Sequence, residues 1–356
     1  MVSLVPTSVL DKVTTEVARA QVRARNGLKH IGGFGGSEIA VSSRRLVWQR
    51  DSVKLYRYDS EKRTRGTPLV LVHSLVTKPY VLDLRAGSSL IADFLEQGFD
   101  VYLLDWGVPQ PVDAHNGVVV YCDEYIPLAL EAARAESGAD EVSVLGYCLG
   151  ALLTLVSAAG NSDLPVRSLV LLATPIDLGK MGPMSSLLEQ GRLEPEDLVD
   201  ETGNVPAGTV RAIFRLIQPT APLTTYSSLW QSLANDEALA AHNALIGWSN
   251  DHIPLPGKAF EEVVDVFIRQ GLLLTGRFPL GLRTVELAAI SCPVLSVVGE
   301  RDNLVPPEAT APLAELLVNA DLEQLILPAG HAGLFVGRQA RTRCVPSIVA
   351  WLTEHS

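Results

Sequence analysis

Residues 142–155 read VSVLGYCLGALLTL. An apolar, β-branched run ends at Gly146-Tyr147-Cys148-Leu149-Gly150, and an apolar stretch containing small residues follows. The pattern matches the G-x-S-x-G elbow with sulfur in place of oxygen. In such an elbow a strand turns sharply into a helix, and the central residue takes a strained backbone conformation. Glycines two positions to either side remove the side chains that would collide there. The sequence thus predicts Cys148 at a helix N-terminus, where the dipole favours thiolate. Free N–H groups, that of Leu149 first, would then help to bind a developing oxyanion. The plainer account of the same pentapeptide is a small buried hydrophobe between glycines that permit close packing.

An unperturbed thiol, with a pKa of about 8.5, needs a base or a lowered pKa to attack an acyl group at neutral pH. His331 fits that need: it lies in LILPAGHAGLF, on a glycine-bearing loop after a strand-like run. Asp302 follows another such run, in PVLSVVGERDNLVPP. Singly, each has a bland reading, as a turn carboxylate or a loop histidine. Together they stand in the chain order nucleophile, acid, base, each just beyond a strand, as α/β-hydrolase triads do. Cys148, Asp302 and His331 are therefore the candidate catalytic residues. In LVLVHSLV the end of an early strand places His73 or Ser74 beside the second oxyanion donor, with a structural histidine as the alternative. Asp105 and Trp106, at the end of the next run, either shape the pocket or satisfy backbone groups.

Further out, the runs LVWQ, VKLYRY, PLVLVHSL, FDVYLLDW, EVSVLGY, SLVLLAT, PVLSVVGE and LEQLILP read as strands. Helical stretches between them are long enough for right-handed crossovers, which predicts an α/β fold with a mostly parallel sheet flanked by helices. Between about 179 and 289 no comparable strand run occurs, and Leu, Pro and Trp (Trp230, Trp248) at helical spacing predict an inserted helical cap. The expected organisation is an N-terminal helical and flexible segment (1–45), a core (46–178 and 290–356) and a cap (179–289). Residues 9–25 have amphipathic spacing. GGFGG at 32–36 lacks a phosphate loop's Lys-Ser/Thr ending and preceding strand, and reads as a connector.

Composition bounds the function. With 47% hydrophobic and 19% charged residues over 356 positions, the chain can bury a large core. A formal charge of −11 opposes general attraction to nucleic acid. Charges at Asp11, Lys12 and Glu16 interrupt the N-terminal apolar residues, so neither a signal peptide nor a transmembrane segment is expected. Four scattered cysteines without a C-x-x-C pair predict reduced thiols and a cytoplasmic location. Cys122, Cys292 and Cys344 lack elbow context and read as packing residues. Neither a metal-ligand pattern nor a dinucleotide fingerprint is present in the sequence.

Several segments together resemble the polyhydroxyalkanoate synthase family, particularly its shorter, two-subunit type. They are VWQRDSVKLYRY at 47–58, PLVLVHSLVTKPYVLDL at 68–84, VYLLDWGVP at 101–109, GYCLGA, ETGNVP at 201–206, GERDNLVPP and GHAGLF. The resemblance spans roughly residues 45–350. It implies that Cys148 is acylated, that His331 is the base, and that Asp302 activates the incoming hydroxyl or partners His331. The implied reaction transfers 3-hydroxyacyl groups from coenzyme A to a growing polyester. No cofactor is implied beyond acyl-CoA as substrate. Implied partners are a second copy in a homodimer, a second synthase subunit and the surface of polyester granules. One departure stands out: the family's elbow ends Gly-Gly, whereas this chain has Ala151, expected to tighten the packing or narrow the site. A thioesterase or other hydrolase with the same triad is the competing enzyme reading. A catalytically weak, granule-associated binding subunit, suggested by Ala151, is the competing non-enzymatic one.

Overall fold

The computed structural model describes residues 42–217 and 235–355. The expected helix at 9–25, the connector at 32–36 and Trp230 lie outside these residues.

All eight sequence runs form strands of one sheet: β1 (Arg45–Arg50), β2 (Val53–Tyr58), β3 (Leu69–Val72), β4 (Val101–Asp105), β5 (Val142–Tyr147), β6 (Val166–Leu172), β7 (Val294–Gly299) and β8 (Leu322–Leu327). Their spatial order is β1-β2-β4-β3-β5-β6-β7-β8. The pairings of β2 with β1 and β4 are antiparallel, and the others are parallel. The principal core helices are α1 (Leu90–Glu96), α2 (Ile126–Ser137), α3 (Leu149–Gly160) and α8 (Val345–Glu354).

Continuous apolar runs suit strands buried on both faces, and pleating divides their side chains between two cores. Val70, Val72, Val144, Leu169 and Leu171 face one cluster with Leu130 of α2 and Leu152, Leu155 and Val156 of α3. Leu69, Leu71, Leu145, Val170 and Leu172 face the other, with Ile91 and Phe94 of α1 and Ile348 and Leu352 of α8. Parallel register then aligns the strand ends. Val72 sits beside Gly146, Tyr147 beside Leu172, and Gly299 beside Leu327, so the loops leaving β3, β5, β7 and β8 emerge at one edge.

Between β6 and β7 lie α4 (Pro183–Glu189), α5 (Ala207–Ile217), α6 (Asp236–Ser249) and α7 (Gly257–Glu262). Two short ribbons join them, which the expectation of a purely helical segment did not include: Asn204–Val205 with Leu255–Pro256, and the hairpin Arg277–Leu280 with Arg283–Glu286. The first is too short for a run to register, and the exposed arginines, threonine and glutamate of the second hide its alternation. Arg283 of this hairpin bonds the carbonyl of Gly160 and the carboxylate of Asp123, anchoring it against the end of α3.

At the antiparallel edge, Asp100 is buried and its carboxylate meets Arg57 Nε at 2.8 Å. Arg63 reaches the other oxygen only at 3.5 Å. Removing one member of such a pair strands a buried charge. Arg57→Ala is therefore expected to lower stability by about 3 kcal/mol in urea unfolding, with Arg57→Met/Asp100→Leu recovering much of the loss.

Candidate active site

Cys148 joins β5 to α3 with φ 54° and ψ −124°, a left-sided backbone that an L-residue occupies only under constraint. The constraint comes from its neighbours. A Cβ on Gly150 would lie 2.3 Å from the carbonyl oxygen of His73 and 2.4 Å from that of Val72, and one on Gly146 would lie 2.4 Å from the Cα of Ala151. Neither position accepts a side chain, so the glycines let the end of β3, the end of β5 and the first turn of α3 share one spot. The Cys148 N–H is spent on the Leu172 carbonyl at 2.9 Å. As the first residue of α3, Leu149 has an N–H with no intrahelical acceptor.

Asp302 lies in the turn after β7, almost fully buried. Its Oδ1 accepts the N–H groups of Leu304 and Val305, both at 2.9 Å, and its Oδ2 meets His331 Nδ1 at 2.6 Å. Every lone pair the carboxylate needs to spend is thus engaged, which keeps the buried charge tolerable. His331, after β8, lines the same cavity as Cys148. Burial alone would push its imidazole down. The Asp302 charge and hydrogen bond, reinforced by Cys148, outweigh this and raise its pKa to about 10. The structure therefore brings Cys148, Asp302 and His331 into one connected group.

The oxyanion candidates separate. His73 is fully buried with its ring turned away from the site: Nε2 meets Thr77 Oγ1 at 2.9 Å and the ring stacks on Tyr147 at 5.8 Å. Burial drives its pKa down to about 3, so it is a neutral structural histidine. Ser74, the next residue, lines the cavity that contains Cys148, and its buried hydroxyl has no partner among the described residues. Leu149 sends its side chain into the core while its N–H stays at the helix start. Trp106 donates its indole N–H to the His73 carbonyl at 2.8 Å, and Asp105 accepts the Gly107 N–H at 2.9 Å, so both brace backbone. Ala151 is fully buried beside Gly146 and does not line the cavity, so its methyl tightens packing without narrowing the site. Cys122 and Cys344 are buried free thiols, and Cys292 is partly buried.

The cavity holds about 920 Å³ and its lining includes Cys148, His331, Phe214, Leu245, Ile246 and Trp248. Trp248 of α6 donates to the Lys78 carbonyl at 2.8 Å, which ties this wall to the loop after β3. Tyr147 is the residue that sequence reasoning passed over. It packs against His331 at 5.1 Å and Phe335 at 4.4 Å, forming an aromatic floor beneath the imidazole, and its place beside the elbow cysteine was the available signal. Also passed over were Arg211, Arg215 and His252 in the cavity wall, of which only the i, i+4 arginines of VRAIFRL leave a trace in sequence. Among the described residues no cluster of His, Cys, Asp or Glu is arranged to hold a metal ion.

A model of the α/β hydrolase fold matches residues 67–338. The poly(3-hydroxyalkanoate) polymerase subunit PhaC of Haloferax mediterranei is 31% identical over 327 residues, covering 90% of this chain and 66% of that one. Its counterpart from Allochromatium vinosum is 30% identical over 349 residues, covering 97% of this chain and 98% of that one. Among solved structures, the esterase RhEst1 from Rhodococcus sp. ECU1013 matches 88% of this chain and all of its own with a TM-score of 0.52 at 16% identity, a likeness of fold.

Two outcomes test the site. The folded-state pKa of His331 lies above the ordinary 6.5, so the stability it contributes is whole below about 6.5 and is lost as pH rises through about 10. Asp302→Asn is expected to remove that dependence and to move the His331 titration, followed by NMR, downward. Ala151→Gly is expected to cost about 1 kcal/mol in urea unfolding while leaving turnover unchanged, because the methyl serves the helix and its packing.

Proposed function

Because this chain belongs to the poly(3-hydroxyalkanoate) polymerase PhaC family of the α/β-hydrolase fold, we propose that it polymerises 3-hydroxyacyl groups from coenzyme A thioesters through an acyl-cysteine. The observation that carries the reading is a cysteine held in a strained elbow, sharing one cavity wall with a histidine whose Nδ1 meets a buried carboxylate at 2.6 Å.

The chemistry follows from that geometry. His331 holds the proton of the pair it forms with Cys148, the Asp302 charge stabilising this imidazolium, so Cys148 reacts as the thiolate. The thiolate attacks the thioester carbonyl, whose developing negative charge is received by the Leu149 N–H at the start of α3, with Ser74 at the facing strand end. The bond from carbonyl carbon to the carrier's sulfur breaks, the carrier leaves as a thiol with the proton from His331, and an acyl-cysteine remains. Exchange between two thioesters is nearly isoenergetic, which suits sulfur over oxygen here. The 3-hydroxyl of a second acyl group then gives its proton to His331 and attacks the acyl-cysteine, forming an ester as the carbon–sulfur bond breaks and regenerating the Cys148 thiolate beside protonated His331. The apolar walls from Phe214, Leu245, Ile246 and Trp248 favour an ester chain over water as the occupant. A homodimer, a second subunit and attachment to polyester inclusions belong to the same proposal.

Incubation with 3-hydroxybutyryl-CoA is expected to give free coenzyme A and insoluble polyester together. Cys148→Ala is expected to depress thiol release by roughly 10⁴-fold or more. Coenzyme A release with free 3-hydroxybutyrate and no polymer would identify a thioesterase instead.

A further inference from the structure

The walls of the catalytic cavity carry an imbalance of charge. Arg211, Arg215 and Arg301 line it with His252, whereas among the described residues no aspartate or glutamate does. Several arginines elsewhere meet carboxylates: Arg45 pairs with Glu136, Arg50 with Glu124, and Arg269 with both Glu194 and Asp265. Arg211 and Arg215 sit four residues apart on α5, hence on one face, and neither has a carboxylate partner among the described residues; Arg301 has none either. All three are exposed, while Cys148 is buried, so the charges stand toward the opening and the nucleophile lies within.

The fourth group belongs to the same field. His252 lies below the ordinary histidine range, first through burial and then through the charges of Arg211 and Arg215, with Asp251 opposing. Asp251, the acid next to it, is occupied by Lys78 Nζ at 2.9 Å and the Tyr80 hydroxyl at 3.1 Å. His252 Nδ1 is buried and has no partner among the described residues. In a chain of net charge −11, unpaired guanidinium groups gathered at one opening repel each other without compensation. A ligand with several phosphate oxygens would supply it through charge-assisted, bidentate hydrogen bonds.

We propose that Arg211, Arg215 and Arg301, with His252, seat the phosphate-bearing end of the thioester carrier, holding its phosphates at the cavity opening while the thioester reaches Cys148. This rests on the reading of the substrate as a coenzyme A thioester. It assigns carrier selection to the segment between β6 and β7 together with the turn beside Asp302, and separates that task from the acyl chemistry.

The test compares 3-hydroxybutyryl-CoA with 3-hydroxybutyryl-pantetheine, which lacks the phosphates, on the wild-type chain, an Arg211→Gln/Arg215→Gln variant and its Arg→Lys counterpart. The wild-type preference in kcat/KM for the coenzyme A ester is expected to fall about tenfold or more in the glutamine variant, through KM, and to return in part with lysine. Adenosine 3′,5′-bisphosphate is expected to compete with the coenzyme A ester on the wild-type chain and to bind the glutamine variant about tenfold more weakly by calorimetry. An unchanged preference, or equal binding of the bisphosphate by both chains, overturns the inference. If the wild-type chain turns over neither ester, the functional reading fails, and the calorimetric comparison still decides the phosphate seat.

Discussion

The site depends first on a missing side chain. At Gly150 the backbone of α3 comes so near the carbonyls of Val72 and His73 that a Cβ would lie 2.3 Å from the nearer oxygen. That contact joins the exit of β3 to the first turn of α3. The His73 carbonyl is also held by the Trp106 indole, which ties in the exit of β4. With its carbonyl fixed from two directions, His73 turns its ring inward onto Tyr147 and leaves Ser74 facing the cavity. The strain at Cys148 is stable because three backbones over-determine it.

A second close approach does the corresponding work for Asp302 and His331. A Cβ on Gly299 would lie 2.7 Å from the Ala329 carbonyl, so the turn after β7 and the loop after β8 are pressed together, and Arg301 N–H donates to the same carbonyl at 3.0 Å. Asp302 and His331 project from those two loops. Their 2.6 Å contact is therefore a consequence of strand register plus one glycine, and it survives burial because two further N–H groups satisfy the carboxylate. Tyr147 connects the halves, touching His73 on the β3 side and His331 on the β8 side.

What could be read from the chain alone follows the range of the interactions. The eight strands announce themselves through local apolar runs, and Cys148, Asp302 and His331 through strand ends in a fixed order; none of these needs knowledge of distant neighbours. The choice between His73 and Ser74 depends on Thr77 and Tyr147 packing around one ring, a contact no local pattern encodes. Ala151 was legible as a departure, yet its consequence depends on Gly146 lying across from it, so only the fold shows that the methyl points into packing. The hairpin at 277–286 escaped notice because its exposed face is charged and its anchor, Arg283 on the end of α3, is more than a hundred residues away. Arg211 and Arg215 were visible as letters, but their significance comes from sharing a cavity with Cys148.

Charge and apolarity divide the proposed reaction between two regions of one cavity. An acidic chain repels a polyanionic carrier at long range, and with a screening length of about 8 Å at physiological salt the local sign at the opening governs capture. Unpaired arginines reverse that sign where the carrier must stop. The product has the opposite needs: a polyester is uncharged, gains nothing from guanidinium groups and is solvated best along surfaces such as Phe214, Leu245, Ile246 and Trp248. Each acylation therefore sorts its two products by chemistry, because the released thiol keeps its phosphates among the arginines while the acyl group, now on Cys148, is left with the apolar wall. Departure of the carrier clears the charged side for the next thioester without displacing the chain, which is the separation a processive polymerase requires and a simple hydrolase does not.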